Sequence, residues 1–153
     1  MTGSPILTGC KPFHRNFQNL CGIGSKFLKF FVNLLGADNA YFDDAHRIAY
    51  CYDATRKRHL PDGVLFPRDE RDVSEILKYC NENGVKIVPR GAGSGFTGGA
   101  LAHEGGVVLA FEKHMNKILE IDMQNMVAVV QPGCININLQ REAEKLGLFY
   151  PPD

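Results

Sequence analysis

The stretch Pro-Arg-Gly-Ala-Gly-Ser-Gly-Phe-Thr-Gly-Gly, from Pro89 to Gly99, constrains this chain more than any other. It follows directly on the short apolar run Val85 to Val88, which reads as a strand. Glycine costs chain entropy wherever it is ordered, so a cluster of this density needs a compensating use. One such use is a backbone shaped so that successive N–H groups converge on an anion. Gly93, Gly95 and Gly98 have the spacing G-x-G-x-x-G, a dinucleotide fingerprint only where the loop opens a helix. Here Gly99-Ala-Leu-Ala-His-Glu leads into Gly105-Gly106, which leaves neither an apolar stripe nor the length for that helix. The Walker pattern fails too, since Gly99 and Ala100 stand where Lys and Ser or Thr belong.

The flanking segments alternate strands and helices. Val64 to Phe66 read as a short buried strand closed by Pro67. Asp69 is placed to cap a helix over Glu70–Asn83, with Val73, Ile76, Leu77 and Cys80 on one face and Gly84 as its stop. With Val85 to Val88 this makes a βαβ unit, expected to be parallel and right-handed. Its second strand delivers the glycine loop at the carboxyl edge, where ligands bind in such sheets. Beyond the loop come strands at Val107–Phe111, Ile118–Asp122 and Met126–Gln131, the last two joined as a hairpin by a short polar connection. A final helix is expected over Asn136–Lys145, with Ile137, Leu139, Ala143 and Leu146 available for burial and Gly147 ending it. The class is α+β: a small parallel βαβ unit followed by a mainly antiparallel sheet with flanking helices.

Several of these segments together resemble the FAD-linked oxidases of the vanillyl-alcohol oxidase type, in the branch of D-lactate dehydrogenase and the glycolate oxidase FAD subunit. The resemblance is carried by Tyr50-Cys51-Tyr52-Asp53-Ala54-Thr55, by Pro61-Asp62-Gly63-Val64-Leu65-Phe66-Pro67, by the glycine loop and by Gly105-Gly106-Val107-Val108-Leu109. It continues through Met115-Asn116-Lys117-Ile118, Val130-Gln131-Pro132-Gly133 and Leu148-Phe149-Tyr150-Pro151-Pro152-Asp153. It implies the first half of a two-part FAD-binding domain over residues 21–153, truncated at its C-terminus. The implied activity of the intact protein is oxidation of a 2-hydroxy acid to a 2-oxo acid by hydride transfer to flavin. No residue present reads as the acid or base, so catalysis is expected to need more than these residues.

The same resemblance assigns cofactor-binding roles. Backbone N–H groups from Arg90-Gly91-Ala92-Gly93-Ser94-Gly95, which follow Pro89 of the same motif, would face the FAD pyrophosphate, and Gly98 and Gly99 would let the chain turn beneath it. Arg90 has two readings, as a countercharge to phosphate or as a brace for the loop against a carboxylate. Thr97 would donate its hydroxyl to the flavin or cap the turn. Ser94 stands where covalently flavinylated relatives carry histidine, which implies noncovalent FAD. Pro152 and Asp153 match a segment near the flavin ring or ribityl chain.

Composition narrows the partners. In 153 residues, 17 basic and 17 acidic side chains balance to a formal charge of zero, so nothing draws the chain to nucleic acid or an anionic membrane. The five cysteines form no C-x-x-C pair and read as thiols of a reducing cytoplasm, with Cys51, Cys80 and Cys134 as small buried apolar residues. The histidines His14, His46, His59, His103 and His114 show no helical pairing or metal-ligand spacing. Residues 1–20 lack periodicity and are expected to form a disordered extension. After Ser25, a plausible N-cap, Phe27, Phe30, Phe31, Leu34 and Leu35 make an amphipathic stripe ended by Gly36. That stripe suits packing on protein better than contact with the inner face of a membrane. An electron-transfer subunit is a further partner implied by the resemblance. The alternative from another class is a noncatalytic nucleotide-binding or subunit-association module.

Overall fold

A computed structural model describes residues 23–151, so the expectations for residues 1–20, Pro152 and Asp153 lie outside the described residues. The chain opens with α1 (Ile23–Leu35) and a single 3-10 turn, then β1 (Ala40–Tyr41) and α2 (Asp44–Ala49). Next come β2 (Gly63–Leu65), α3 (Glu70–Glu82), β3 (Ile87–Arg90) and β4 (Val107–Ala110). The hairpin strands β5 (Ile118–Asp122) and β6 (Val127–Val130) lead into α4 (Asn136–Lys145).

Helix boundaries follow local chemistry. Asp69 accepts a hydrogen bond from Asp72 N and caps α3, while Gly84, at φ 63°, ends it. Asp43 caps α2 in the same way through His46 N. Ser25 lies inside α1 rather than at its start, and Gly36 stops that helix with its N–H on Val32 O at 2.9 Å.

The strands form a four-stranded sheet in the order β1-β2-β4-β3 and a separate β5-β6 hairpin. β2 and β3 are both parallel to β4, which lies between them, so the βαβ unit spans the strand that comes later in the sequence. β1 adds antiparallel to β2. The register aligns Val64, Val108 and Val88 and brings the carboxyl ends of the parallel strands to one edge. β3 ends two residues later than its apolar run suggests, so Pro89 and Arg90 are strand residues. Proline is tolerated there because β3 is the edge strand.

β2 and β4 are buried along their whole length, as central strands covered on both faces must be. On one face Leu65, Val107 and Leu109 meet Phe31 and Leu35 of α1 and Ile76 and Cys80 of α3. Phe30 stacks on Tyr79 at 3.9 Å and joins the two helices. On the other face Val64, Phe66, Val108 and Ala110 pack with Tyr41, Tyr50 and Val88. Two stripes are rotated from their expected positions. Leu77 is exposed while Asp72 is buried, and on α4 Leu139 and Ala143 are buried while Ile137 and Leu146 face outward. Asp72 tolerates burial because Arg68 grips it with Nε on Oδ2 at 2.7 Å and Nη2 on Oδ1 at 2.9 Å. Arg68 Nη2 also reaches Leu34 O at the end of α1. Cys51 and Cys80 are buried as expected; Cys134 is only half-buried. Among the described residues no helix is long and apolar enough to cross a membrane.

A glycine-loop site at the carboxyl edge of the sheet

At the end of β3 the chain leaves the sheet as the loop Gly91–Gly99. Gly93 and Gly98 take φ of 71° and 78°, conformations that side-chain-bearing residues avoid, and they turn the backbone out of the plane of the sheet. Among the described residues, none of the backbone N–H groups from Gly91 to Ala100 donates a hydrogen bond within the protein. Ala92, Ser94, Gly95, Thr97 and Gly99 are exposed, so these donors face solvent. Backbone N–H groups are obligatory donors, and a run left open at the carboxyl edge of a parallel sheet is suited to an external acceptor.

The loop is held by a segment that sequence reasoning did not place in the site. Ala54 N–H donates to Gly93 O at 3.2 Å, and the Arg90 guanidinium donates to Tyr52 O at 2.8 Å. Between those two contacts lies Asp53, 5% exposed, whose Oδ1 accepts from Thr55 N and Thr55 Oγ1. Its Oδ2 is buried with no hydrogen-bond partner. The Asp-x-Thr spacing of such a turn was the available signal. The other end of the loop is held by Leu101 N and His103 Nε2, which lie 3.2 and 3.1 Å from Gly98 O.

Arg90 runs beneath the loop rather than out of it. It is 7% exposed, and a β-carbon built on Gly93 would lie 2.2 Å from its Nη2. Its Cζ lies 5.3 Å from the centroid of the Tyr50 ring. Tyr50 in turn donates its hydroxyl to Glu112 just past β4. Burial, followed by the Glu112 hydrogen bond, pushes the Tyr50 hydroxyl well above the usual phenol range, so it stays a donor. The Thr55 hydroxyl bond is the largest influence holding Asp53 below the ordinary carboxylate range, and Arg90 and His103 add to it. His59 and His103, separated in sequence, bring their rings within 4.3 Å of each other. Burial is the first cause that lowers the His59 pKa, and the nearby His103 is the second.

The predicted site residues therefore divide. Gly91, Ala92, Gly93, Ser94 and Gly95 form a continuous exposed or half-exposed stretch of backbone, Gly98 is buried and Gly99 is exposed beyond it, and Pro89 and Arg90 belong to the strand that carries the loop. Thr97 is exposed, and among the described residues its hydroxyl makes no hydrogen bond, so it does not cap the turn. Pro132 approaches from beyond β6, its carbonyl 3.3 Å from the position a β-carbon on Gly91 would take. A broad depression of about 850 Å³, lined by Asn116, Asn138, Arg141 and their neighbours, contains no residue of the loop.

A row of open amides above a buried guanidinium, at the carboxyl edge of a parallel sheet, suits the two negative charges of a pyrophosphate bridge. Residues 61–153 match the family described as "FAD binding domain", and the chain belongs to that family, whose cofactor is FAD. Among its relatives is the glycolate oxidase subunit GlcD of Bacillus subtilis, 48% identical over 80% of this chain and 26% of that protein. The D-lactate dehydrogenase of Anaerostipes hadrus is 41% identical over 61% of this chain and 19% of its own length. The chain thus spans about a quarter or less of these relatives. Among solved structures, p-cresol methylhydroxylase with substrate bound superposes with a TM-score of 0.72 at 26% identity, covering 84% of this chain and 26% of that one. The α+β class and the relation to vanillyl-type flavoproteins expected from sequence hold.

Proposed function

We propose that this chain supplies the pyrophosphate-binding part of a flavin-dependent 2-hydroxy-acid dehydrogenase or oxidase of the D-lactate or glycolate type. The observation that carries the reading is the run of N–H groups from Gly91 to Thr97, unpaired within the described residues on a half-exposed to exposed loop, next to the buried Arg90 cation. When bound, FAD would accept the α-hydrogen of a 2-hydroxy acid as hydride while the hydroxyl proton passes to a base, so that the product is the 2-oxo acid. The chain's own residues bind and orient. Gly91, Ala92, Gly93, Ser94 and Gly95 direct amides at phosphate oxygens, Gly98 and Gly99 carry the turn, and Thr97 offers a free hydroxyl. Pro152 and Asp153 keep the flavin-side role implied by the resemblance. Ser94 offers no imidazole for a covalent flavin link, which supports a dissociable cofactor. The similarity to a glycolate oxidase subunit and a D-lactate dehydrogenase supports the substrate class. The word "subunit" in the first of these names supports an electron-transfer partner, and the cysteine pattern supports a cytoplasmic location.

The test is titration of FAD into the purified chain, followed by flavin fluorescence, together with oxidation of glycolate and D-lactate by a protein extended to the length of these relatives. Saturable binding with turnover of either acid upholds the proposal. An extended protein that binds FAD and turns over neither acid sinks the substrate class.

A second, compatible reading is favoured by the apolar side chains left exposed beyond residue 118. Leu119, Met126, Val127, Ile135, Ile137 and Phe149 are each 44% exposed or more. An isolated two-stranded hairpin has little stability of its own, so this region is suited to association with further protein. Size-exclusion chromatography over a concentration series tests it; a monomer at every concentration counts against association.

A further inference from the structure

We propose that Asp53 is a positioning residue for the glycine loop, acting through Arg90: the buried carboxylate keeps the guanidinium beneath Gly93 as a fixed cation. The inference rests on the pyrophosphate reading for its ligand, but its structural core does not.

Three observations carry it. First, Asp53 and Arg90 are opposite charges, 5% and 7% exposed, whose segments meet where Arg90 donates to Tyr52 O; the two side chains share no hydrogen bond or ion pair, so the carboxylate acts on the guanidinium through space. Removing one member of such a pair leaves the other buried without a countercharge, which is costly. Second, contacts with the loop lie on both sides of Asp53 in the chain. Tyr52 O accepts from Arg90 and Ala54 N–H donates to Gly93 O, so residues 52–54 follow the position of the carboxylate between them. Third, Thr55 engages only Oδ1 of Asp53, leaving Oδ2 buried without a hydrogen-bond partner. A turn that needed Asp53 only for its own geometry would be complete with Oδ1. The second oxygen adds negative charge to a cluster that also holds Arg90, His103 and His59.

Asp53 thereby fixes the cation, the cation fills the space under Gly93, and the amides above it are held over one point. This segment precedes residue 61, where the family match begins, so the loop depends on residues outside the matched region.

A double-mutant cycle tests the assignment. D53N, R90Q and the D53N/R90Q double variant of the full chain are compared by hydrogen exchange of the Ala54 amide, measured by NMR without ligand. Each is also titrated separately with inorganic pyrophosphate and with FAD. Each single variant is expected to speed Ala54 exchange by about tenfold or more, and the double variant to fall back toward the parent because no unpaired charge remains buried. Pyrophosphate affinity is expected to drop roughly tenfold in D53N and in R90Q and to stay low in the double variant, because the cation is gone.

Single-variant effects on Ala54 exchange that simply add in the double variant would overturn the proposal, as would a D53N variant with parental Ala54 exchange. Should D53N not fold, T55V takes its place. It frees Oδ1 from the hydroxyl while leaving both charges, and Ala54 exchange or pyrophosphate affinity must change for the proposal to stand. A chain that passes the cycle and binds pyrophosphate but not FAD upholds Asp53 while refuting the flavin reading.

Discussion

Replacing Gly93 by alanine separates the two demands on the loop, backbone conformation and space. The residue sits at φ 71°, where a β-carbon costs about 1–2 kcal/mol. The new carbon would lie 2.2 Å from Arg90 Nη2 and 2.4 Å from Cζ, far inside contact distance. Arg90 has little room to yield because it is 7% exposed and tied to Tyr52 O at 2.8 Å. Breaking that charge-assisted bond costs a further 1.5–3 kcal/mol or so. The expected destabilisation is therefore about 2.5–5 kcal/mol, a drop in Tm of roughly 5–20 °C for a domain of this size. Gly95 is the internal control. It is not among the positive-φ glycines, and a β-carbon there meets nothing within 4 Å. G95A should be neutral in stability, within about 0.5 kcal/mol, yet weaken FAD binding by narrowing the approach to the amides. Urea unfolding of the three proteins, with FAD titration of the folded ones, measures both effects. Equal destabilisation by G93A and G95A would refute the account of the loop, and so would unaltered FAD affinity in G95A.

Other expectations concern charge and thiol chemistry. Arg68 holds Asp72 below the ordinary carboxylate value of 3.8, so this pair's contribution to stability is present above that value and is lost as pH falls through the lower folded value. Unfolding free energy should therefore fall steeply below about pH 4, and D72N should flatten that part of the curve. Burial pushes the Cys80 thiol up to about 11, so a thiol reagent at pH 8 should leave it unmodified in the native protein and label it after unfolding; native labelling would contradict its placement under α1. With Ser94 in place of histidine, trichloroacetic acid should release all bound FAD to the supernatant, and flavin fluorescence retained on a denaturing gel would overturn noncovalent binding.

Much of this architecture is written in short-range chemistry. Asp69 and Gly84 bracket α3, Gly147 closes α4, and the glycine-rich run after Val88 marks the place where the backbone must be open to a ligand. Caps, turns and periodicity depend on residues within a turn or two of one another, and so they can be read along the chain. The placement of β4 between β2 and β3 could not be read that way, because any order of three apolar strands satisfies the same hydrophobic pattern. Nor could the burial of Asp72 in preference to Leu77, which depends on an arginine whose guanidinium also reaches the end of α1. The two readings of Arg90 stayed open in the sequence for the same reason. Tyr52, whose carbonyl takes the guanidinium at 2.8 Å, lies 38 positions away along the chain, and only the packed sheet brings it to the arginine beneath Gly93. A buried charge is stable only where a partner meets it inside the core, and which residues the core encloses is a property of the packed chain rather than of any window within it.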